Sequence, residues 1–154
     1  MKNICTGVDF DQLSWHDNRI HGFKLESEGE RDDILLDIDF ITEWICDYGA
    51  NAGFMLAPST IAFRDITDLT VSIVAPSTGY RVFHRGIYID RIERSRIHGM
   101  AAEYYAWDIK VCAPYSGGFQ FGASGFTMKL MAPPVFSKQQ WLGRSGAMQE
   151  PGGY

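Results

Sequence analysis

The residues best suited to chemistry lie near the N-terminus, in the run Trp15-His16-Asp17-Asn18 and at His21. An imidazole beside a carboxylate can act as a general base or bind a metal ion. Neighbouring residues of a strand point to opposite faces, so His16 and Asp17 can line one site only from a turn. His16, Asp17 and His21 are therefore the candidate site if the protein is an enzyme. The favoured interpretation is structural: Asp17 or Asn18 caps a turn, and Trp15 packs beneath it.

A pair of carboxylates, Asp37 and Asp39, shares one face of the next predicted strand. A hairpin between that strand and the segment carrying His21 would bring both carboxylates near the imidazole. Most such pairs are solvated and discourage edge-to-edge pairing of strands, and this is the interpretation we favour.

The three cysteines, Cys5, Cys46 and Cys112, are spaced too irregularly for a zinc motif and include no Cys-x-x-Cys pair. We therefore predict no metal site, no cofactor and no catalytic residue. The odd cysteine count, with no apolar signal stretch in residues 1–10, predicts reduced thiols in the cytoplasm. Cys112 ends the segment Ile109-Lys110-Val111-Cys112 and is interpreted as a small buried hydrophobe.

The net charge of -5 combines an acidic N-terminal third with a basic remainder. Residues 1–50 carry four basic and twelve acidic residues, whereas residues 51–154 carry ten basic and seven acidic ones. An acidic surface would attract a basic protein partner. The residues predicted to form that surface are Glu26, Glu28, Glu30, Asp37 and Asp39. The interpretation we favour for the charge pattern is that the acidic residues pair within the fold with the arginine cluster Arg81, Arg85, Arg91, Arg94 and Arg96. The alternative is that this cluster, with the flanking His84 and His98, binds an anion or a carboxylate-rich partner.

Other partners are disfavoured. The total charge opposes contacts with nucleic-acid phosphates. No apolar run approaches the roughly 20 residues of a membrane-spanning helix. We expect a monomer or homodimer with neither nucleic acid nor membrane as a partner.

Apolar residues alternate with polar ones along most of the chain, which predicts antiparallel strands. The longest alternation has Ile34, Leu36, Ile38 and Phe40 on one face, and we expect this strand to be central. The predicted strands lie near 18–27, 33–44, 52–57, 60–66, 69–75, 81–93, 103–113, 118–124 and 125–131.

About nine strands with little helix indicate an all-β fold, either an antiparallel β-sandwich or a partly open barrel. We predict a turn at residues 9–14 and a short helix capped by Ser137 that runs to Leu142. The glycines of the segment 122–126 predict a tight hairpin or bulge. Residues 1–142 are expected to form one domain, and the Gly-, Ser- and Pro-rich residues 143–154 a surface tail.

Several segments between residues 13 and 130 carry a family resemblance. They are Leu13-Ser14-Trp15-His16-Asp17-Asn18, Leu35-Leu36-Asp37-Ile38-Asp39 with Glu43-Trp44, Ala57-Pro58-Ser59-Thr60 with residues 63–69, and Phe121-Gly122-Ala123-Ser124-Gly125-Phe126. Together they resemble small bacterial proteins with an N-terminal Trp-His-Asp signature, some of which are similar to immunity proteins of toxin systems. The family has no established activity, so the resemblance transfers no catalytic or binding residue.

Two functions follow from the sequence as expectations. The first is a non-catalytic cytoplasmic protein, immunity-like, that engages a basic protein partner through its acidic face. The alternative is a small-ligand-binding protein or enzyme with a pocket between the sheets. A flat acidic face favours the first, and an enclosed apolar cavity with convergent polar groups favours the second.

Overall fold

The computed structural model describes residues 1–46, 49, 51–77 and 86–143. One 3-10 turn, Phe10–Gln12, lies within the turn predicted at residues 9–14. The strands are β1 (Ile4–Thr6), β2 (Arg19–Glu28), β3 (Arg31–Ile45), β4 (Gly53–Arg64), β5 (Thr67–Val74), β6 (Ile87–Arg96), β7 (Tyr105–Val111), β8 (Ser116–Ala123), β9 (Gly125–Leu130) and β10 (Val135–Ser137).

The strands form an antiparallel sandwich that is not closed into a barrel. Their order is β1-β9-β4-β3-β2-β6-β7-β8-β5, and β10 pairs with β4 beside the end of β9. Among the described residues, β2 and β6 join the two layers through two residue pairs, Arg19 with Tyr88 and Ile20 with Ile87. The chain also passes between the layers at residues 65–66 and at Ser124. The prediction of an all-β antiparallel fold is confirmed.

Aromatic rings and branched aliphatic side chains fill the space between the layers. The predicted central strand is confirmed: Ile34, Leu36 and Ile38 have no exposed surface, and Phe40 is buried. Phe63 from β4 lies 4.8 Å, centroid to centroid, from the rings of Trp107 and Phe121 in the other layer. Apolar residues with little exposed surface therefore hold the two layers together.

The predicted break between residues 57 and 60 is wrong, because β4 runs without interruption from Gly53 to Arg64. Pro58 suggested a boundary since proline removes a ladder donor. It is tolerated because β10 pairs with residues 54–56 and β9 with residues 59–64, which leaves Pro58 between the two partners. Its missing N–H therefore costs no strand–strand hydrogen bond on that side.

The helix predicted from Ser137 to Leu142 is also wrong. Ser137 ends β10, and its hydroxyl accepts a hydrogen bond from the N–H of Gln139 at 3.0 Å. The N–H of Leu142 donates to the side chain of Asp39 at 2.8 Å. A tertiary partner therefore takes a donor that a helix would use for itself.

The glycine segment at 122–126 forms a corner between layers where a tight hairpin or bulge was expected. β8 ends at Ala123, β9 begins at Gly125, and the N–H of Ser124 donates to the carbonyl of Arg64 at 2.9 Å. Gly122 is needed for close approach, because a Cβ there would lie 2.7 Å from side-chain atoms of Thr67 and Tyr104.

Three further outcomes concern the ends and the arginine-rich segment. The short strands β1 and β10 were not predicted. The strand predicted at 81–93 is seen as Ile87–Arg96; Arg81, His84 and Arg85 lie outside the described residues, as does the tail from residue 144 onward.

In the part of the chain that is described, no helix has the length and apolar character needed to cross a membrane.

Candidate functional site

The tip of the β2–β3 hairpin carries the exposed acidic residues. Glu26, Glu28 and Glu30 are exposed, as predicted. Glu26 forms an ion pair with Lys24 at 2.6 Å, and Glu28 forms one with Arg31 at 3.2 Å. Such exposed pairs are weak, so they leave a net negative field at the tip.

Asp33, two positions after Arg31, differs from the tip acids because it is buried. Its carboxylate contacts the guanidinium of Arg64 at 2.7 Å and that of Arg31 at 3.3 Å, and it accepts the N–H of Asp65 at 2.9 Å. Burial alone would raise the pKa of Asp33, but the Asp65 N–H and the two guanidinium groups hold that pKa below its usual value. Asp33 therefore fastens the hairpin to the corner between β4 and β5.

The prediction that Asp39 belongs to an exposed acidic face is wrong, because Asp39 has no exposed surface. Its Oδ2 lies 2.7 Å from Nε2 of His21 and accepts the N–H of Leu142. Arg19 is the ladder partner of Asp39, and the bulge in β2 between Ile20 and Gly22 leaves His21 out of the register, from where its ring reaches the Asp39 carboxylate. Asp37, on the same face, is exposed.

His16 and Asp17 lie in a turn, the one arrangement in which both can face a single site. Asp17 has a φ of 66°, a left-handed conformation that Asp adopts more readily than most residues. Its carboxylate lies 3.0 Å from Nδ1 of His16. Asn18 is completely buried: its amide group donates to the carbonyls of Ser14 and Trp15, and its oxygen accepts the N–H of Ile41. The structural interpretation thus holds for Asn18, and Trp15 is buried beneath the turn.

Two residues distant in sequence converge on the same turn. Oδ1 of Asp90 lies 3.6 Å from Nε2 of His16, and Sγ of Cys112 lies 3.9 Å from Oδ1 of Asp17. Cys112 is half-buried; burial, with the nearby Asp17 and Asp90 carboxylates, raises its pKa to about 11. Sequence reasoning missed Asp90 and placed Cys112 in the core, since no local spacing links residues 16, 90 and 112.

Tyr88, the ladder partner of Arg19, is near enough to both Asp17 and Asp39 for their charges to act on its hydroxyl. Burial raises the pKa of Tyr88, the charge of Arg19 opposes that shift, and the carboxylates of Asp39 and Asp17 add to it. The structure therefore brings the predicted residues His16, Asp17 and His21 to one corner, in two adjacent groups. The β2–β6 pairing positions both, because Tyr88 is the ladder partner of Arg19.

The arginine cluster pairs mainly with acids of its own layer. Arg91 contacts Asp90 at 3.2 Å and Glu93 at 3.3 Å, and Arg96 contacts Glu103 at 3.8 Å. Arg94 is the described member that reaches the acidic N-terminal region, through Asp11 at 3.4 Å. Among the described arginines, the expected pairing of this cluster with the acidic N-terminal residues is therefore seen at Arg94, whereas Arg91 and Arg96 pair within their own layer.

The clefts of the described structure open to solvent. Four of these clefts have volumes from about 420 to about 690 Å³. One of about 610 Å³ lies on the outer face of the first layer and includes His21, Lys24, Asp37 and Thr60 in its lining.

Comparison of the chain with protein-family models, curated proteins and solved structures gives no match. Function is therefore inferred from the geometry of this chain alone.

Proposed function

We propose that this protein binds a basic protein partner through the tip of the β2–β3 hairpin and does so without catalysis. The observation that carries the proposal is the group of exposed carboxylates at residues 26–32, where four acids stand against one arginine. Opposite charge on the partner would steer the encounter and raise the association rate.

Exposed apolar residues on the same hairpin add to this support. Phe23 is 46% exposed and Leu25 is 54% exposed, although both occupy inward-facing positions opposite the buried Leu36 and Ile34. Interfaces commonly combine an apolar centre with a charged rim. Phe23 and Leu25 would supply the apolar contacts, and Glu26, Glu28, Glu30 and Asp37 the charged ones.

The specific form of the proposal is an immunity-like role in the cytoplasm, in which the partner is a basic toxin. A toxin inhibitor must bind quickly, and an electrostatically steered surface provides that speed. The protein would act as a monomer or homodimer.

The test begins with capture from a lysate of the native organism on the immobilised, tag-free protein, followed by identification of the captured protein and purification of each candidate. Association rates are then measured at low and physiological salt. We expect a basic partner, and we expect Glu28→Lys with Glu30→Lys to slow association and flatten its dependence on salt, because salt screens the field beyond about 8 Å.

The matched control is Glu93→Lys with Glu103→Lys, which makes the same charge change at exposed positions of the second layer. It should leave the association rate nearly unchanged. An acidic partner, or an equal effect of the two double variants, would show that the hairpin tip is not the binding surface.

A second candidate, ligand binding or catalysis, is favoured by one observation, the His21–Asp39 pair beside the 610 Å³ cleft. A buried carboxylate that orients an imidazole is a common acid–base arrangement. Its test is a screen of small molecules by chemical-shift changes at His21, with His98 as the exposed reference. Shifts at His21 alone would favour this candidate over a purely protein-binding role.

A further inference from the structure

We propose that His16, Asp90 and Cys112 form a zinc-binding site, with His16 Nε2, an Asp90 carboxylate oxygen and Cys112 Sγ as ligands. One ligand atom from each residue lies within 4.8 Å of the others. This proposal is independent of the acidic hairpin and departs from the prediction of no metal site.

The spacing of the His16 and Asp90 ligand atoms matches tetrahedral zinc, and Cys112 Sγ lies within 4.8 Å of a ligand atom of each. Bonds of about 2.0–2.3 Å at tetrahedral angles place ligand atoms about 3.3–3.8 Å apart. His16 Nε2 and Asp90 Oδ1 already lie 3.6 Å apart. The side chains of His16 and Asp90 are partly exposed, 58% and 38%, so small rotations can bring the three ligand atoms to the same spacing.

Asp17 fits the role of the residue that orients a metal-bound imidazole. A ligating histidine usually donates its second ring N–H to a carboxylate, which fixes the tautomer and the ring plane. Asp17 Oδ2 lies 3.0 Å from His16 Nδ1, on the side of the ring away from Nε2 and Asp90. Gln140 donates to the same oxygen at 3.2 Å and holds the carboxylate in turn.

Backbone hydrogen bonds fix the three segments relative to one another. The N–H of Asp17 donates to the carbonyl of Ile89, and the N–H of Ile89 donates to the carbonyl of Asn18, both at 2.8 Å. The N–H of Cys112 donates to the carbonyl of Tyr88 at 2.8 Å. The backbone of the three segments is therefore held in place before the metal arrives, and binding would cross-link the turn, β6 and the end of β7.

The ligand types select the metal. Imidazole nitrogen, thiolate sulfur and carboxylate oxygen together suit Zn²⁺, whereas Mg²⁺ and Ca²⁺ prefer oxygen alone. Cys112 binds as the thiolate, so its proton passes to solvent when the metal binds. Three protein ligands leave the fourth position to water or to an incoming ligand atom.

The test uses tag-free full-length protein in a non-thiol reductant, titrated with Zn²⁺ alone against a chromophoric chelator and, separately, with Co²⁺. We expect one ion per chain, visible bands of tetrahedral Co²⁺, and a thiolate-to-cobalt charge-transfer band. Cys112→Ala should abolish that band. His16→Ala, at an exposed position, should weaken Zn²⁺ binding at least about tenfold.

Asp17→Asn tests the orienting role separately. Asn also tolerates the left-handed backbone, so the turn should persist. We expect the charge-transfer band to remain while Zn²⁺ affinity falls about 10- to 100-fold.

Matched controls are Cys46→Ala and His98→Ala, which remove the same groups from exposed positions. Their Zn²⁺ affinity should equal that of the unchanged protein. Persistence of the charge-transfer band in Cys112→Ala, equal losses in His98→Ala and His16→Ala, or the lack of a one-to-one site would overturn the proposal. If Cys112→Ala fails to fold, the comparison of His16→Ala with His98→Ala decides.

Discussion

The two ends of the β2–β3 hairpin use the same residue types for opposite purposes. At the base of the hairpin, the end opposite its turn, Asp39 is completely buried and bound to His21 and the Leu142 N–H. At the tip Glu28 keeps 85% of its side chain exposed. The carboxylates at one end organise the interior, and those at the other charge the surface.

The difference arises from what covers each end. At Arg19 and Ile20, β2 pairs with both β3 and β6. From Gly22 to the tip, the described structure shows β2 paired with β3 alone. Leu142, in the segment that follows β10, adds a backbone N–H to the Asp39 carboxylate. An exposed carboxylate keeps its hydration at little cost in free energy, whereas a buried one persists only with hydrogen-bond partners. Coverage therefore decides which acids are held by buried hydrogen bonds and which remain exposed to a partner.

The largest loss of stability is expected in the middle of β3, between the base and the tip of the hairpin. Leu36→Ala should lower the free energy of unfolding by about 2–5 kcal/mol, because Leu36 has no exposed surface and its removal leaves a cavity. Urea unfolding measures the loss. Leu35→Ala, at the half-buried neighbouring position on the other face, is the control and should cost clearly less. Equal losses would contradict the assignment of faces.

Substitutions at the base of the hairpin should cause the next largest loss of stability. Asn18→Ala should cost about 2–4 kcal/mol, because it leaves the Ile41 N–H and the Ser14 and Trp15 carbonyls without their side-chain partner. Asn51→Ala, at an exposed position, should change stability little. Thermal unfolding of both variants makes the comparison, and a small loss for Asn18→Ala would mean that water replaces its amide.

Periodicity predicted the class of fold because the strands have one face on the core and one outside. The alternation of Ile34, Leu36 and Ile38 therefore appears directly in their burial. It failed for Asp33 and Asp39, which occupy the outer face yet are buried. Arg64 and the segment at 138–142 cover them, and strand periodicity carries no information about coverage by distant segments.

The candidate site was predictable only in part for the same reason. The hairpin pairing expected between the His21 segment and the Asp39 strand brought that pair together, as local spacing indicated. The convergence of His16 with Asp90 and Cys112 depends on the β2–β6 pairing and the end of β7, which no local pattern encodes.

Asp33, a buried acid near the tip, allows a third test, which uses the dependence of stability on pH. Asp33→Asn should lower the free energy of unfolding by about 1.5–3 kcal/mol at neutral pH, as expected when hydrogen bonds to a charged group are weakened. The pKa of Asp33 is lowered by folding, so its stabilisation is present above the unfolded value of about 3.9 and is lost as the pH falls through the folded pKa.

The gap in stability between the unchanged protein and Asp33→Asn should therefore narrow below about pH 4. Urea unfolding at neutral pH and at several acidic pH values measures it. Asp32→Asn, at the exposed neighbouring position, should show a small gap throughout. A gap for Asp33 that stays constant into acid would mean that its pKa is not lowered in the folded protein.

The smallest change in stability is expected at the tip itself, because acids that serve binding alone should contribute little to the fold. Glu28→Lys with Glu30→Lys should change the free energy of unfolding by less than about 0.5 kcal/mol, since both residues are exposed and the Glu28–Arg31 pair is a weak surface contact. The variant should also keep the circular dichroism spectrum of the unchanged protein. If instead the double change destabilises the protein as much as Asp33→Asn does, the tip acids are structural, and the contrast between the two ends of the hairpin disappears. If stability is kept while association with the partner slows, the tip acids serve binding alone.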